Sequence, residues 1–383
     1  MTRFIPFLRS FLDRLSQCLT TEAAFSTFNT HGKGDLSFLN PLFQTKHHWF
    51  FNMSAPDYKQ YTCNLCGKKS VVVRDFHREG GACQHCESIT RFRALMFALS
   101  HHFYDKPIPL ANFSPDRNQK AMGLSDAPHY ADKLKNLFDY TNYFYHTEPF
   151  LDICNIENMT VGSYDLLISS DVYEHVSPPR HVAFVNSWQL LKPDGLMLLT
   201  VPYTMLSKTV EHFPHLNQFG IVRDQQGMLL VNQRKDQNID VYDRLTWHGG
   251  EGSTLEMRVY AEADLLQIIA DAGFKNIKVW CDDYPEFGIL QAQQGGSFVI
   301  SATKDGNRIP IAVTKHDPYI DNIYPEDAEI DHFLINRPIR ITDERAKKAI
   351  TQWKDEKAVK TASPFSRIRR FLHKKFRKHG RLE

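Results

Sequence analysis

The sequence predicts an α/β protein built on a parallel sheet, with a small cysteine ribbon ahead of it. Three observations lead there. Tyr164 to Val172 carries a continuous apolar centre, Leu166, Leu167 and Ile168, as a strand covered on both faces requires. Val182, Val185, Trp188 and Leu191 then recur at helical spacing, and Gly195 to Val201 reads as a second buried strand. Upstream stand two C-x-x-C pairs, Cys63/Cys66 and Cys83/Cys86.

In the strand–helix–strand unit, polar residues arrive together after the first strand: Ser169, Ser170, Asp171, Glu174 and His175. That is the carboxyl end of a parallel strand, the ligand side of an open α/β sheet. Ser177 can cap the next helix and Pro178 and Pro179 suit its first turn. Lys192-Pro193-Asp194-Gly195 is predicted to end it, since proline cannot continue a helix and glycine tolerates the turn.

Sixteen residues separate the two cysteine pairs. Each pair suits a tight knuckle, aided by Gly67 in the first and Gly80 and Gly81 before the second, so Cys63, Cys66, Cys83 and Cys86 can converge on one zinc ion. An iron–sulfur cluster is the alternative ligand. With all four positions filled by protein, the metal is structural. A thioredoxin-like redox role needs only one pair and leaves the second unexplained. The segment SITRFRALMFALSHHF after the ribbon reads as an amphipathic helix. Its Arg91 and Arg93 beside the ribbon can hold nucleic acid or an acidic substrate, or belong to a structural platform.

The 383 residues allow about two or three domains at ~150 residues each. A composition 42% hydrophobic and 23% charged is that of a globular protein, and the net charge of +2 conceals a basic C-terminal tail. No run approaches the ~20 apolar residues of a membrane span. Arg3, Arg9, Asp13 and Arg14 interrupt the first residues, which lack the unbroken apolar region of a signal peptide. The expectation is a cytoplasmic protein. Phe4, Leu8, Phe11, Leu12, Leu15 and Leu19 share one helical face, for docking on the protein or lying on a membrane. The tail places Ile368, Phe371, Leu372 and Phe376 among eight lysines and arginines: a solvated tail, or one drawn to anionic lipid at the inner membrane face, with nucleic acid a third reading.

SSDVYEHV followed by LLKPDGLMLLTVP closely resembles the late half of the class I S-adenosyl-L-methionine (SAM)-dependent methyltransferases, of the type 11-like kind. LKPDG matches a pattern usually written LKPGG, and AGF-x-x-I at 272–277 is a further likeness. The CxxCG, CxxC and RxR series ahead of such a body resembles bacterial glycan-associated methyltransferases. The resemblance implies a Rossmann-like sheet of seven strands, the last antiparallel. The corresponding division is an N-terminal segment 1–60, a zinc ribbon 61–95, a methyltransferase domain 96–305 with a substrate insertion at 204–260, and a C-terminal extension 306–383.

What the resemblance implies for the site follows residue by residue. AMGLSD occupies the first strand and cofactor loop, where the usual GxGxG is absent and Gly123, Ser125 and Asp126 remain. TNYFYH at 141–146 is the second strand, with Glu148 placed for the ribose hydroxyls. Asp152 and Ile153 in LDICNI mark the third strand's end near the adenine, and Asp171 the fourth. The insertion carries His212 and His248, candidate bases together with Glu174 for an acceptor hydroxyl. The expected function is methyl transfer to an oxygen or carbon of a small polar acceptor, a sugar or glycan precursor. The alternatives are an RNA methyltransferase and a catalytically inactive zinc-dependent interaction protein.

Overall fold

The structure, a computed structural model, describes residues 60–71, 78–248, 254–291, 297–304 and 336–361. The N-terminal amphipathic stretch, the glycine run after His248 and the basic tail lie outside these residues. The chain divides into two compact units, one of Met1–Pro115, Ala127–Leu137 and Val279–Ile300, the other of Asp116–Asp126, Phe138–Lys278 and Ser301–Glu383.

The first unit holds the ribbon. Strands β1 (Tyr61–Thr62) and β2 (Lys69–Ser70) pair antiparallel, and helix α1 (Thr90–Tyr104) follows. Arg93 on α1 is buried beneath the ribbon. Its guanidinium donates to the carbonyls of Ser88 and Gly288 and lies 4.9 Å from the Tyr61 ring. Arg91 is tied to Glu79 at 2.6 Å. Both arginines therefore serve the platform reading. Phe97 gathers His101, Trp280, Tyr284 and Phe287 into an aromatic cluster, and helix α2 (Pro128–Leu137) meets Phe92 through His129 and Tyr130.

The principal sheet contains β3 (Lys120–Leu124), β4 (Asp139–Tyr143), β5 (Tyr164–Ser170), β6 (Leu191–Thr200), β15 (Phe274–Trp280) and β16 (Val299–Lys304), in the order β15-β16-β6-β5-β3-β4. β3 pairs parallel with β4 and β5, and β5 parallel with β6. Met122, Leu166, Leu167, Ile168, Met197 and Leu198 are fully buried, which is why these strands read as unbroken apolar runs. Helix α3 (His181–Leu190) joins β5 to β6, and α4 (Glu262–Asp271) precedes β15.

Four expectations change. Among the described residues the sheet has six strands, not seven. LDICNI forms only isolated bridges, because too few residues separate it from β4 for the crossover of about a dozen that a parallel neighbour demands. The second strand is Asp139–Tyr143, starting and ending earlier than TNYFYH. Ser177 does not cap α3, which begins after Arg180. The KPDG turn lies inside β6: the register jumps from Tyr164↔Leu191 to Leu166↔Leu196, so Lys192 to Gly195 bulge out, with Asp194 at φ +62°.

Between β6 and α4 the chain makes β7 (Tyr203–Thr204), β8 (Val210–Glu211), β9 (Gln218–Asp224), β10 (Gly227–Gln233), β11 (Ile239–Tyr242), β12 (Trp247–His248), β13 (Thr254–Leu255) and β14 (Arg258–Ala261). β9, β10 and β11 form an antiparallel sheet whose alternation separates two clusters. Leu229 and Val231 face one side with Val222 and Val241, while Leu230 faces the other with Phe213, Tyr242 and Met257.

Helix α5 (Glu344–Thr361) covers the first side. The composition of TDERAKKAITQWKDEKAVK reads as one exposed helix, but Ala346, Ala349 and Trp353 are buried there and the helix is docked. A Cβ on Gly220 would come within 2.7 Å of the Trp353 ring, which fixes glycine where the helix meets β9. Arg345 binds Asp224 at 2.7 Å and 3.2 Å and reaches Asp243 at 3.6 Å.

Trp353→Ala is expected to lower unfolding stability by about 3–5 kcal/mol in chemical denaturation and to open α5 to limited proteolysis, because it empties the centre of this cluster. Arg345 holds the Asp224 carboxyl below its ordinary value, with backbone N–H donors adding to the effect. A depressed folded value means stability that is present above the unfolded pKa of ~3.9 and is lost as pH falls through the folded one. The stability difference between wild type and Asp224→Asn should therefore be constant near neutrality and shrink in acid denaturation below about pH 4.

Candidate functional site

The four cysteines meet as their spacing implies. Cys63 Sγ lies 3.7 Å from Cys86 Sγ, Cys66 Sγ lies 3.8 Å from Cys83 Sγ, and all four sulfurs fall within 4.8 Å of one another. A tetrahedral ion with Zn–S bonds of ~2.3 Å requires sulfur separations of ~3.8 Å, so the set fits zinc. The two knuckles repeat one geometry. Gly67 N–H donates to Cys63 O at 2.8 Å and Glu87 N–H to Cys83 O at 2.8 Å, with Gly67 at φ +73° and Glu87 at φ +57°. Glu87 thus holds the position that glycine fills in the first knuckle. Ser88 Oγ stands 3.1 Å from Cys63 Sγ, a hydroxyl partner for the thiolate.

The second site lies wholly in the larger unit. β3 sits between β4 and β5, so successive strands leave it in opposite directions, and a crevice opens at their carboxyl ends. A cavity of about 730 Å³ occupies that place, within the ~300–1,000 Å³ range of small-molecule sites. Leu124 and Ser125 line it after β3, Tyr145 and His146 after β4, and Asp171 and Val172 after β5, with Asp152, Ile153 and Cys154 beside them. The opposite wall comes from the excursion, through Phe219, Ile221, Met228, Trp247, His248 and Met257, and from Gln352 and Glu356 of α5.

Backbone geometry explains the strand ends. Ser125 and Asp171 both take left-handed conformations, φ +55° and +57°. Ser125 N–H donates to Tyr143 O at 2.7 Å, and Asp171 is held by its N–H to Thr200 O at 2.8 Å and by the Thr200 hydroxyl on Oδ1 at 3.0 Å. Asp152 accepts from Cys154 N–H at 2.9 Å. Burial, with the Asp152 charge adding to it, pushes the Cys154 thiol up to about 12, so this cysteine is no nucleophile near neutrality.

The expected site residues divide. Ser125, Asp152, Ile153, Asp171 and His248 line the cavity. Gly123 and Asp126 do not. A Cβ on Gly123 would strike Tyr140 Oη, which donates to Asp126 Oδ2 at 2.7 Å, so both residues serve a buried clamp between β3 and β4. Glu148 is exposed, accepts from Phe150 N–H in its own turn and is not one of the lining residues. His212 is buried behind the wall, and Glu174 is fully buried under the cluster described next.

At one end of the cavity a polar relay crosses from the sheet to the excursion. His212 Nε2 lies 2.6 Å from Glu256 Oε1, and Glu256 Oε2 lies 2.8 Å from His248 Nε2. His248 Nδ1 is 4.0 Å and His175 Nε2 is 3.5 Å from Glu174 Oε1, and the two imidazole rings meet edge to face at 4.8 Å. Burial raises the Glu256 carboxyl, but hydrogen bonds from His212 and His248 and their charges outweigh it and hold it at about 2. His175 is lowered by burial and by His248, against the bond from its Nδ1 to Leu255 O at 2.9 Å.

Glu256, Tyr145, His146 and Gln352 are cavity or relay residues that no short motif marks. For Glu256 the only signal is its place in the carboxylate- and imidazole-rich phrase around WHGGEG.

No protein-family model matches the chain, and no curated protein matches it. Solved structures similar to it are SAM-dependent methyltransferases. An enzyme from Burkholderia thailandensis, a 1,6-didemethyltoxoflavin N1-methyltransferase, is 13% identical, covers 56% of this chain and 78% of its own, and has a TM-score of 0.29. A methyltransferase from Clostridium acetobutylicum is 12% identical over 57% of this chain and 92% of its own, at 0.32. The sugar N-methyltransferase KedS8 from Streptoalloteichus is 8% identical over 61% and 89%, at 0.31. A shared activity does not follow from likeness at this level.

Cys66→Ser is expected to abolish binding of about one zinc per chain, read by elemental analysis, and to lower the thermal midpoint of the first unit. Chelation of the wild type should give the same shift, since metal binding at such a site is folding energy.

Proposed function

We propose that this chain is a SAM-dependent methyltransferase acting on an oxygen or carbon of a small polar acceptor, with a sugar or glycan precursor as the favoured class. The observation that carries the reading is the cavity at the carboxyl ends of β3, β4 and β5. It sits at the strand-order switch point and joins an acidic, apolar-walled half to a half lined by imidazoles.

The donor set suits the cofactor. Asp152 and Asp171 offer carboxylates for hydroxyl or ammonium donors, and Leu124, Ile153 and Val172 give an apolar wall for a purine. When bound, SAM supplies an electrophilic methyl on a sulfonium, and the positive charge is favoured beside these carboxylates. The residues of the excursion then exclude water and orient the acceptor, and the end where Glu174, His175 and His248 converge receives its reacting group. Glu256 and His212 position His248 from behind.

A small acceptor is favoured because the ribbon's arginines are engaged, Arg93 in buried hydrogen bonds and Arg91 with Glu79. The helices of the described residues include none long and apolar enough to cross a membrane.

Calorimetric titration of the zinc-loaded chain with S-adenosylhomocysteine should give saturable binding. Asp171→Ala should weaken it ~10–100-fold, the loss expected for one hydrogen bond to a charged group at ~1.5–3 kcal/mol. Absence of binding to the wild type overturns the reading.

A further inference from the structure

We propose that Glu174, His175 and His248 form a second metal site, for a divalent transition-metal ion, at the imidazole end of the cavity. One ligand atom from each lies within 4.8 Å of the others. His175 and His248 line the cavity, so an ion here keeps open positions toward it.

The outer partners of both imidazoles support this assignment. A carbonyl oxygen only accepts, so the bond between His175 Nδ1 and Leu255 O at 2.9 Å places the proton on Nδ1. The nitrogen that faces Glu174 Oε1 at 3.5 Å is then a lone pair. His248 shows the same arrangement inverted: Nε2 is held by Glu256 Oε2 at 2.8 Å, leaving Nδ1 toward Glu174 Oε1 at 4.0 Å. The inner nitrogens of two imidazoles thus converge on a buried carboxylate, and a cation placed among them is attracted by that carboxylate and can take the lone pair of His175. Imidazoles that bind metals orient themselves in this way, donating the second N–H to a carbonyl or carboxylate.

Ligands ~2.0–2.1 Å from a tetrahedral ion stand ~3.3 Å apart, against 3.5 and 4.0 Å for the two pairs with Glu174 and no more than 4.8 Å between the imidazole nitrogens, so binding draws the three together. Two nitrogens and one oxygen select zinc, manganese, iron, cobalt or nickel over calcium or magnesium, which prefer all-oxygen sets. At this place an ion would polarise an acceptor oxygen and ease loss of its proton. That role rests on the methyl-transfer reading; the binding of the ion does not.

The test is cobalt titration of the full chain whose ribbon already holds zinc. The expected result is one further equivalent with visible ligand-field bands and no thiolate charge-transfer band. Glu174→Gln and His248→Ala should each lose it, while circular dichroism and ribbon zinc stay as in the wild type. Glu256→Gln keeps all three ligands, and should weaken cobalt ~10–100-fold by freeing the outer nitrogen of His248. No further equivalent in the wild type, or one that Glu174→Gln and His248→Ala both retain at full affinity, overturns the proposal. S-adenosylhomocysteine titration of the same samples separates the two readings. Cofactor binding without cobalt sinks only the metal site, and cobalt binding without cofactor sinks only the methyltransferase.

Discussion

The cavity's polar end is anchored by one buried carboxylate. Glu211 on β8 accepts from Arg258 Nε at 2.8 Å and faces Arg180 at 3.4 Å, and both guanidinium groups are wholly out of solvent. Arg258 also donates to Val176 O at 2.7 Å and to Tyr173 O at 3.3 Å. The loop after β5 is thereby fastened to β14, and Met257 N–H to Glu174 O at 2.9 Å adds a main-chain rung. Removing one member of such a set leaves a charge stranded without water, a cost of ~3–5 kcal/mol. This anchor, with the bonds from Met257 N–H to Glu174 O and between His175 Nδ1 and Leu255 O, brings Glu174 and His175 on one segment to face His248 and Glu256 on another.

What could be read from sequence follows from how local each signal is. The β5–α3–β6 unit is visible because buried parallel strands and a helix write their periods directly into the chain. The four cysteines are visible because knuckle geometry fixes their spacing, and both knuckles do close on the same turn. Asp171 and His248 are recognisable as polar residues at loop positions. The pairing of Glu256 with His212 is not, because a contact 44 residues apart leaves no spacing rule to follow. The docking of α5 is hidden for a related reason. Its polar face dominates the composition, while three small or flat contacts, Ala346, Ala349 and Trp353, carry the docking.

The loop after β3 shows the limit of pattern matching from the other side. The usual GxGxG is absent there, and Gly123, Ser125 and Asp126 stand in its place. In the fold, Ser125 itself takes the left-handed turn, and Asn142 clamps the next residue by bonding both Asp126 N–H and Asp126 O at 2.9 Å. The one remaining glycine, Gly123, is pressed against Tyr140 and Asp126, where a Cβ would collide. Loop geometry can therefore be supplied by side chains from β4 that no motif on β3 records.

The cavity also assigns different tasks to different parts of the chain. The sheet contributes loop residues at fixed strand ends, where a cofactor common to many acceptors would be held. The wall facing them is built from β9, β10, β12, β13 and α5, elements that the sheet does not require for its own pairing. Gln352 and Glu356, one residue before and three after Trp353, flank its buried stripe, so docking of Trp353 against Gly220 holds them at the cavity. Packing along α5 thus sets the polar chemistry beside it. Acceptor selectivity should therefore reside in residues 218–257 and 352–356, and substitutions that shift α5 should alter which acceptor fits before they alter cofactor binding.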